Sequence, residues 1–237
     1  QSLNSLGLPN PGAPYYKDNL PEIAQIAKGE GKPLFVSVAG FTPVEYADLV
    51  EIAFEGGAVV VELNLGCPNV WQGGEQKRIA SFDPGLSGEV LSVVSKRVGP
   101  DAKVAVKVSP CSDPFALAAL SDVLNQYALV KCVTTTNTFP NAFLCNEVGH
   151  PRITPGGGLA GLAGPALKPI ALGQVRQLHA ILDSQIQIIG VGGISTGQDI
   201  KDFLDSGATV VQVATAYLKH GEQVFTRLLA ELIELAE

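Results

Sequence analysis

The sequence predicts an α/β protein built as a β/α barrel, on three observations. Short β-branched runs alternate with helix-length stretches, giving roughly six β-then-α units. The runs are almost continuously apolar, as expected of strands buried on both faces of a parallel sheet. Asn64, Lys107, Asn137, Gly193 and Thr215 stand at or just after the ends of five different runs. A barrel gathers all its strand ends at one mouth, where its active sites sit. A doubly wound sheet gathers only those beside its switch point. No linker or sequence repeat interrupts the alternation, so residues 1–237 read as one domain.

Taken in order, Gln1 to Gly12 is rich in Asn, Gly and Pro and reads as loop. Pro14 to Lys28 reads as a helix and Pro33 to Ala39 as a strand. Thr42-Pro43-Val44-Glu45 has the form of a capping box, with Pro suited to the first helical position. That helix should reach about Phe54 and stop at Gly56-Gly57. The strand Ala58 to Leu63 then enters the segment VVVELNLGCPNV, Val59 to Val70. The alternation repeats with a helix over Pro84 to Val98, a strand over Lys103 to Val108 and a helix from Asp113-Pro114 to about Tyr127. A strand over Val130 to Thr136 ends in Asn137, and a Gly- and Pro-rich excursion runs from Thr138 to Gly164. Pro165 to Leu182 is helical, and the strand Gln185 to Gly190 ends in Gly192-Gly193. Ser195 or Thr196 caps the next helix, with Asp199 in its first turn. The last strand, Thr209 to Val213, exits through Ala214-Thr215-Ala216, and a final helix covers about Gly221 to Ala236.

Composition narrows the function. With 46% hydrophobic residues the chain can build one large core. A formal net charge of −7 and the absence of any basic run argue against nucleic-acid or anionic-membrane binding. No apolar run approaches the roughly 20 residues that span a bilayer, and no signal-peptide pattern is visible. Cys67, Cys111, Cys132 and Cys145 show no CxxC, which places the chain in a reducing, cytoplasmic setting. No His/Cys/Asp/Glu cluster has metal-ligand spacing. The chain begins at Gln1 and contains no Met, so residues upstream of Gln1 are expected to belong to the protein.

Cys67 lies at a strand exit beside Pro68 and between Asn64 and Asn69. A buried structural thiol is the ordinary reading of a single cysteine. At a strand exit it can instead act as a general acid or base or as a nucleophile, which needs an activating base nearby. His179 falls in a helix, and His150 and His220 are expected in loops, so acid–base work is favoured. Cys111, Cys132 and Cys145 are read as structural. Lys107 interrupts an apolar strand, KVAVKV. It either snorkels to the rim or brings positive charge to a cofactor or oxyanion, and an aldolase Schiff-base lysine would occupy such a place too. Asn4, Asn64, Asn69 and Asn137 are common turn residues, but together they offer uncharged donors and acceptors that suit an amide-bearing ring such as a pyrimidine. The paired exits Gly190-Val191-Gly192-Gly193 and Ala214-Thr215-Ala216 match a barrel phosphate site after the last two strands. No GxGxxG follows an early strand, which argues against a Rossmann site.

These segments resemble the dihydroorotate dehydrogenase family, soluble class 1. The resemblance rests on Asn4 to Asn10 (NSLGLPN), Glu62 to Val70 (ELNLGCPNV), Val106-Lys107, Val133 to Asn137, Lys168-Pro169 with Ala171, Ile188 to Gly193 with Thr196 to Asp199, and Gln212 to Ala216. It covers essentially the whole chain in order. It implies a (β/α)8 TIM barrel carrying FMN that oxidises dihydroorotate to orotate. Cys67 would be the base at C5, and Lys107 would stabilise the reduced flavin. Asn4, Gly7, Leu8, Asn64, Asn69, Asn137 and Thr138 would hold the substrate. Asn64, Lys107, Thr136, Gly164, Gly192, Gly193, Ala214 and Thr215 would hold FMN. Fumarate as electron acceptor and a homodimer follow from the same resemblance.

The chain also departs from that pattern. The family carries about another quarter of its length before Asn4, supplying two barrel strands, so only about six of eight units are expected here. A fragment, or completion by further residues, is therefore predicted, because an open six-stranded sheet exposes two edges. After Asn69 the family continues PGKPQ, where this chain has Trp71-Gln72-Gly73-Gly74-Glu75-Gln76-Lys77-Arg78. Gly66 replaces a usual Ser, and Thr136 to Asn141 reads TNTFPN where VNS is usual. TNT is similar to the flavin domain of dihydropyrimidine dehydrogenase. A flavin oxidoreductase on another pyrimidine or enone, and an inactive binding relative, remain the alternative functions.

Overall fold

The computed structural model describes residues 2–72 and 75–235. The chain opens with β1 (Ser2–Asn4), α1 (Ala13–Gly29), β2 (Phe35–Val38), α2 (Pro43–Glu55) and β3 (Val60–Asn64). A two-stranded hairpin, β4 (Trp71–Gln72) and β5 (Glu75–Gln76), precedes α3 (Pro84–Val98), β6 (Val104–Val108), α4 (Pro114–Asn125) and β7 (Val130–Thr135). Next come β8 (Phe139–Ala142), β9 (Ala160–Ala163), α5 (Lys168–Ile181), β10 (Gln187–Val191) and α6 (Gly197–Asp205). The chain closes with β11 (Val210–Gln212), α7 (Thr215–His220) and α8 (Gln223–Glu234).

Strand order decides between barrel and doubly wound sheet. The large sheet runs β2-β3-β6-β7-β10-β11, so each strand lies beside the next one in sequence. Every pairing in it is parallel. A doubly wound sheet reverses its order at a switch point. This one never does, and the architecture is a partial β/α barrel with six strands among the described residues. Its open edges are β2 and β11, where Phe35 and Val210 are 45% and 50% exposed. That is far more than the apolar residues of the central strands and matches the expected incompleteness.

Local chemistry explains most element boundaries. The Thr42 hydroxyl accepts from Glu45 N–H while the Glu45 carboxylate accepts from Thr42 N–H, the capping box read from sequence. Asp83 and Asp113 cap α3 and α4. Thr196, not Ser195, caps α6, reciprocally with Asp199. The main core lies between sheet and helices, around fully buried Leu63, Leu91, Val106, Leu117, Val133, Leu178 and Phe203. The opposite, inner face of the sheet carries a small apolar layer of Val60, Ala105 and Ile189 with Cys132 against it. Above that layer the interior is polar. Buried Glu62 accepts from Ser37 Oγ (2.9 Å), Thr134 Oγ1 (2.8 Å) and Gln212 Nε2 (2.9 Å), tying together four strands of the sheet.

Three local expectations need correction. The N-terminal segment is not all loop: β1 pairs antiparallel with β9, and β9 with β8, inside the stretch read as an excursion. The exit of the last strand forms α7, so His220 ends a helix and does not sit in a loop. Trp71–Gln72 pairs antiparallel with Glu75–Gln76, which no periodicity in so short a run could announce.

Candidate active site

The strand exits build two adjoining clefts. Asn64 and Lys107 are Cα partners across β3 and β6, and Lys107 and Thr134 are partners across β6 and β7. Consecutive parallel strands therefore bring Asn64, Lys107 and the Thr136–Asn137 exit side by side at one end of the sheet. Backbone bonds secure that end: Thr136 N–H donates to Val191 O (2.8 Å) and Asn137 N–H to Val108 O (2.8 Å).

The first cleft lies over the last two strand exits. Lys107, Thr136, Asn137, Thr138, Gly164, Gly192, Gly193, Ala214 and Thr215 all line it, together with Gln212. It thus gathers every residue expected at FMN except Asn64, which lines the neighbouring cleft. Gly193 has φ 80°, and a Cβ there would stand 2.7 Å from Gly164 O, so only glycine fits between the two walls. The hydroxyls of Thr135, Thr136 and Thr138 are buried without a hydrogen-bond partner among the described residues. Buried hydroxyls ordinarily find a partner, and those of Thr136 and Thr138 belong to residues lining this cleft. Lys107 is half-buried, and no carboxylate among the described residues forms an ion pair with it.

Behind this cleft, Asp199 braces the loop. One carboxylate oxygen accepts from Ser195 N–H (2.8 Å), Thr196 N–H (2.8 Å) and Ser195 Oγ (3.0 Å), while the other accepts from Lys168 Nζ (2.5 Å). Lys168 also donates to Asp202 (2.6 Å). Burial pushes the Asp199 carboxyl up, but Lys168, Ser195 and Thr196 outweigh it and hold it at about 2. Lys168 follows the Gly164–Leu167 wall and Ser195 follows Gly193, so this pair fastens one wall of the cleft to the other.

The second cleft holds Cys67. Gly7, Leu8, Asn64, Tyr46, Lys77 and Arg78 line it with the thiol. Cys67 is half-buried. Burial pushes its thiol above the ordinary range, opposed by the Asn69 N–H, Lys107 and Lys77. No histidine lines this cleft, in line with acid–base work over nucleophilic work. Tyr46, 4% exposed, donates its hydroxyl to Asn64 O (2.8 Å). Burial above all raises its phenol, which stays protonated.

The four expected asparagines form two pairs. Asn137 Nδ2 donates to Asn64 Oδ1 (2.9 Å), and Asn69 Nδ2 donates to Asn4 Oδ1 and Asn4 O (both 2.9 Å). The pairing of β1 with β9 brings Asn4 to Asn69, but neither of these two lines a cleft. Thr138 lines the Lys107 cleft and not the Cys67 cleft, so its expected contact with substrate is not seen directly. Gly66 has a structural reason. A Cβ there would stand 2.7 Å from Ser109 N, and Ser109 Oγ instead donates to Gly66 O (2.8 Å).

Residues that sequence reasoning missed are Tyr46, Lys77, Ser109 and Gln174. Gln174 is buried in α5, donates to Ser109 O (2.9 Å) and accepts from Cys111 N–H (2.6 Å), fixing the β6 exit. A glutamine inside an otherwise amphipathic helix was the available signal. For Lys77 the signal was its basic neighbour Arg78, in a chain with no basic run.

The family profile described as dihydroorotate dehydrogenase matches residues 1–235. The chain belongs to the dihydroorotate dehydrogenase family. It is similar to dihydroorotate dehydrogenase A (fumarate) of Lactococcus lactis subsp. lactis, 36% identical over 240 residues, covering 100% of this chain and 74% of that protein. The Kluyveromyces lactis dihydroorotate dehydrogenase (fumarate) is 35% identical over 242 residues, covering 100% of this chain and 73% of that protein. The chain thus spans about three-quarters of the length of these curated relatives. Among solved structures, DHODH of Eimeria tenella in complex with ferulenol matches with a TM-score of 0.81 at 19% identity, covering 98% of this chain and 66% of that one. That likeness supports the barrel fold. Dihydroorotate dehydrogenases are oxidoreductases, and the soluble class 1 resemblance agrees with the fumarate-type relatives. No helix among the described residues is long and apolar enough to cross a membrane.

Proposed function

We propose that the protein is an FMN-dependent dihydroorotate dehydrogenase, with residues 1–237 forming part of a single barrel domain. One observation carries the reading. In a chain of net charge −7, the two adjoining clefts are lined by Lys107, Lys77 and Arg78, the last paired with Asp83, and, among the described residues, by no carboxylate. Such a site favours anions: a phosphate-bearing flavin in one cleft and a carboxylate-bearing pyrimidine in the other.

The first cleft fits FMN. The Gly192–Gly193 and Ala214–Thr215 backbones would hold its phosphate, and the unpartnered Thr136 and Thr138 hydroxyls offer further donors. Lys107 would set positive charge beside the ring. When bound, the flavin supplies the two-electron acceptor for the hydride leaving C6 of dihydroorotate. Cys67 would act as the base: its thiolate takes the C5 proton, and the electron pair left at C5 forms the ring double bond of orotate as the hydride leaves C6. Asn64, Asn69, Asn4 and Asn137 would orient the ring, and their mutual hydrogen bonds hold the carboxamides ready. The relatives' names support fumarate as the electron acceptor of this chain. A cytoplasmic homodimer is the accompanying expectation, tested by sedimentation.

The test is the visible spectrum of purified full chain. A yellow protein whose flavin bleaches anaerobically with dihydroorotate and recovers with fumarate supports the reading. Folded protein that stays colourless in excess FMN, or a bound flavin indifferent to dihydroorotate, would overturn it.

A further inference from the structure

The hairpin that replaces the family's usual loop brings its own charge to the catalytic cleft. Gln76 Nε2 donates to Pro68 O (2.6 Å) and Lys77 N–H to Val70 O (2.8 Å), so the hairpin is stitched to the segment that carries Cys67. The Lys77 side chain then folds inward. Its ammonium donates to Gly40 O and sits 5.0 Å from the Phe41 ring centroid and 5.8 Å from that of Tyr46. Two aromatic faces and a carbonyl thus hold the cation in place. It shares the cleft with the Cys67 thiol.

We propose that Lys77 is a positioning residue for Cys67, an ammonium fixed in the thiol's own cleft that stabilises the thiolate. The proposal rests on Cys67 being the base. Its location matters because Lys107 lines the neighbouring cleft, whereas Lys77 lines the thiol's own.

The charges around the thiol are few. Lys107 comes from β6, Lys77 and Arg78 from the hairpin, and Tyr46 from α2, where its phenol stays neutral. Glu45, also on α2, faces Lys77. Gly7, Leu8 and Asn10 reach the cleft from the N-terminal segment, and none titrates. Burial raises the thiol, and both lysines oppose it. Burial lowers the Lys77 ammonium, while Glu45 and Cys67 support its charge. Removing Lys77 leaves the burial unanswered on that side.

The experiment is alkylation of Cys67 by iodoacetamide in the full chain without substrate, from about pH 6 to about pH 10, read by peptide mass spectrometry. The thiolate displaces iodide, so the rate follows the thiolate fraction. Lys77→Met should move the midpoint up by about half a unit to one unit, about a three- to tenfold slower reaction near neutral pH. Lys77→Arg should restore most of it. Cys132, on the inner barrel wall, monitors loosening of the fold. If Lys77→Met exposes Cys132, Lys77→Gln against Lys77→Arg decides: only the uncharged variant should shift. Superimposable profiles for wild type and the uncharged variants would overturn the proposal. The measurement needs no flavin or dihydroorotate, so a shifted profile without flavin bleaching would sink the substrate reading and leave this one standing.

Discussion

The two clefts meet at one end of the barrel but are made differently. The Lys107 cleft is made from strand exits and a helix cap. Its glycines, Thr215 and Asp199 each lie within a few residues of a regular element that places them. The Cys67 cleft is made from contacts between distant loops: Asn69 with Asn4, Lys77 with Gly40, Gln76 with Pro68. A cradle for a cofactor's phosphate needs rigid backbone, which strand ends and caps supply. A substrate cleft can vary its loops while the barrel stays the same; Lys77 and Arg78 of the departing 71–78 stretch line the Cys67 cleft, while Thr136 to Thr138 of the other departing stretch line the Lys107 cleft.

Several substitutions test this division of labour. Cys67→Ser should have the largest effect, slowing dihydroorotate-driven flavin reduction by roughly 10²–10⁴-fold while the protein stays yellow. Stopped-flow absorbance checks it, and an unchanged reduction rate would remove Cys67 from the chemistry. Gly193→Val should act on the other cleft. Its side chain meets Gly164 O at a φ of 80°, and strain of about 1–3 kcal/mol should weaken FMN about five- to 150-fold. Flavin fluorescence titration reads it, and unaltered affinity would move the phosphate elsewhere.

A third prediction concerns pH. Burial holds the Cys67 thiol above its ordinary value, so flavin reduction should rise with pH, with a midpoint above the ordinary thiol range. A midpoint well below that range would mean that the two lysines dominate burial. The smallest effect belongs to Asp199. Its folded value of about 2 lies below the ordinary 3.8, so its contribution to stability is complete above 3.8 and is lost as pH falls toward 2. Asp199→Asn should flatten the acid limb of an unfolding-midpoint profile over that window. An unchanged acid limb would show that the Lys168 bond carries no net stability.

Sequence and structure agree where chemistry is local. The Thr42–Glu45 box, the Thr196–Asp199 cap and the apolar strands were readable because each signal sits within a few residues of what it controls. The gathering of Asn64, Lys107, Asn137, Gly193 and Thr215 was readable because a parallel barrel sends every strand end to one side. The pairing of β1 with β9 was not: three-residue strands have no period, and Asn4 lies 157 residues from Gly161. The same holds for Glu62, whose polar character inside VVVELN gains meaning only when Ser37, Thr134 and Gln212 converge on it.

By itself, then, the sequence determined the barrel class, the capped helices, the thiol at a strand exit and the glycine-lined strand exits, since each depends on periodicity or near-neighbour chemistry. Only the tertiary structure decided how the asparagines pair, that Lys77 turns inward into the cleft of Cys67, and that Lys168 and Asp199 fasten the two walls of the Lys107 cleft. Those arrangements depend on which distant backbones come to lie within hydrogen-bond reach, a property of the whole path of the chain and not of any one stretch of it.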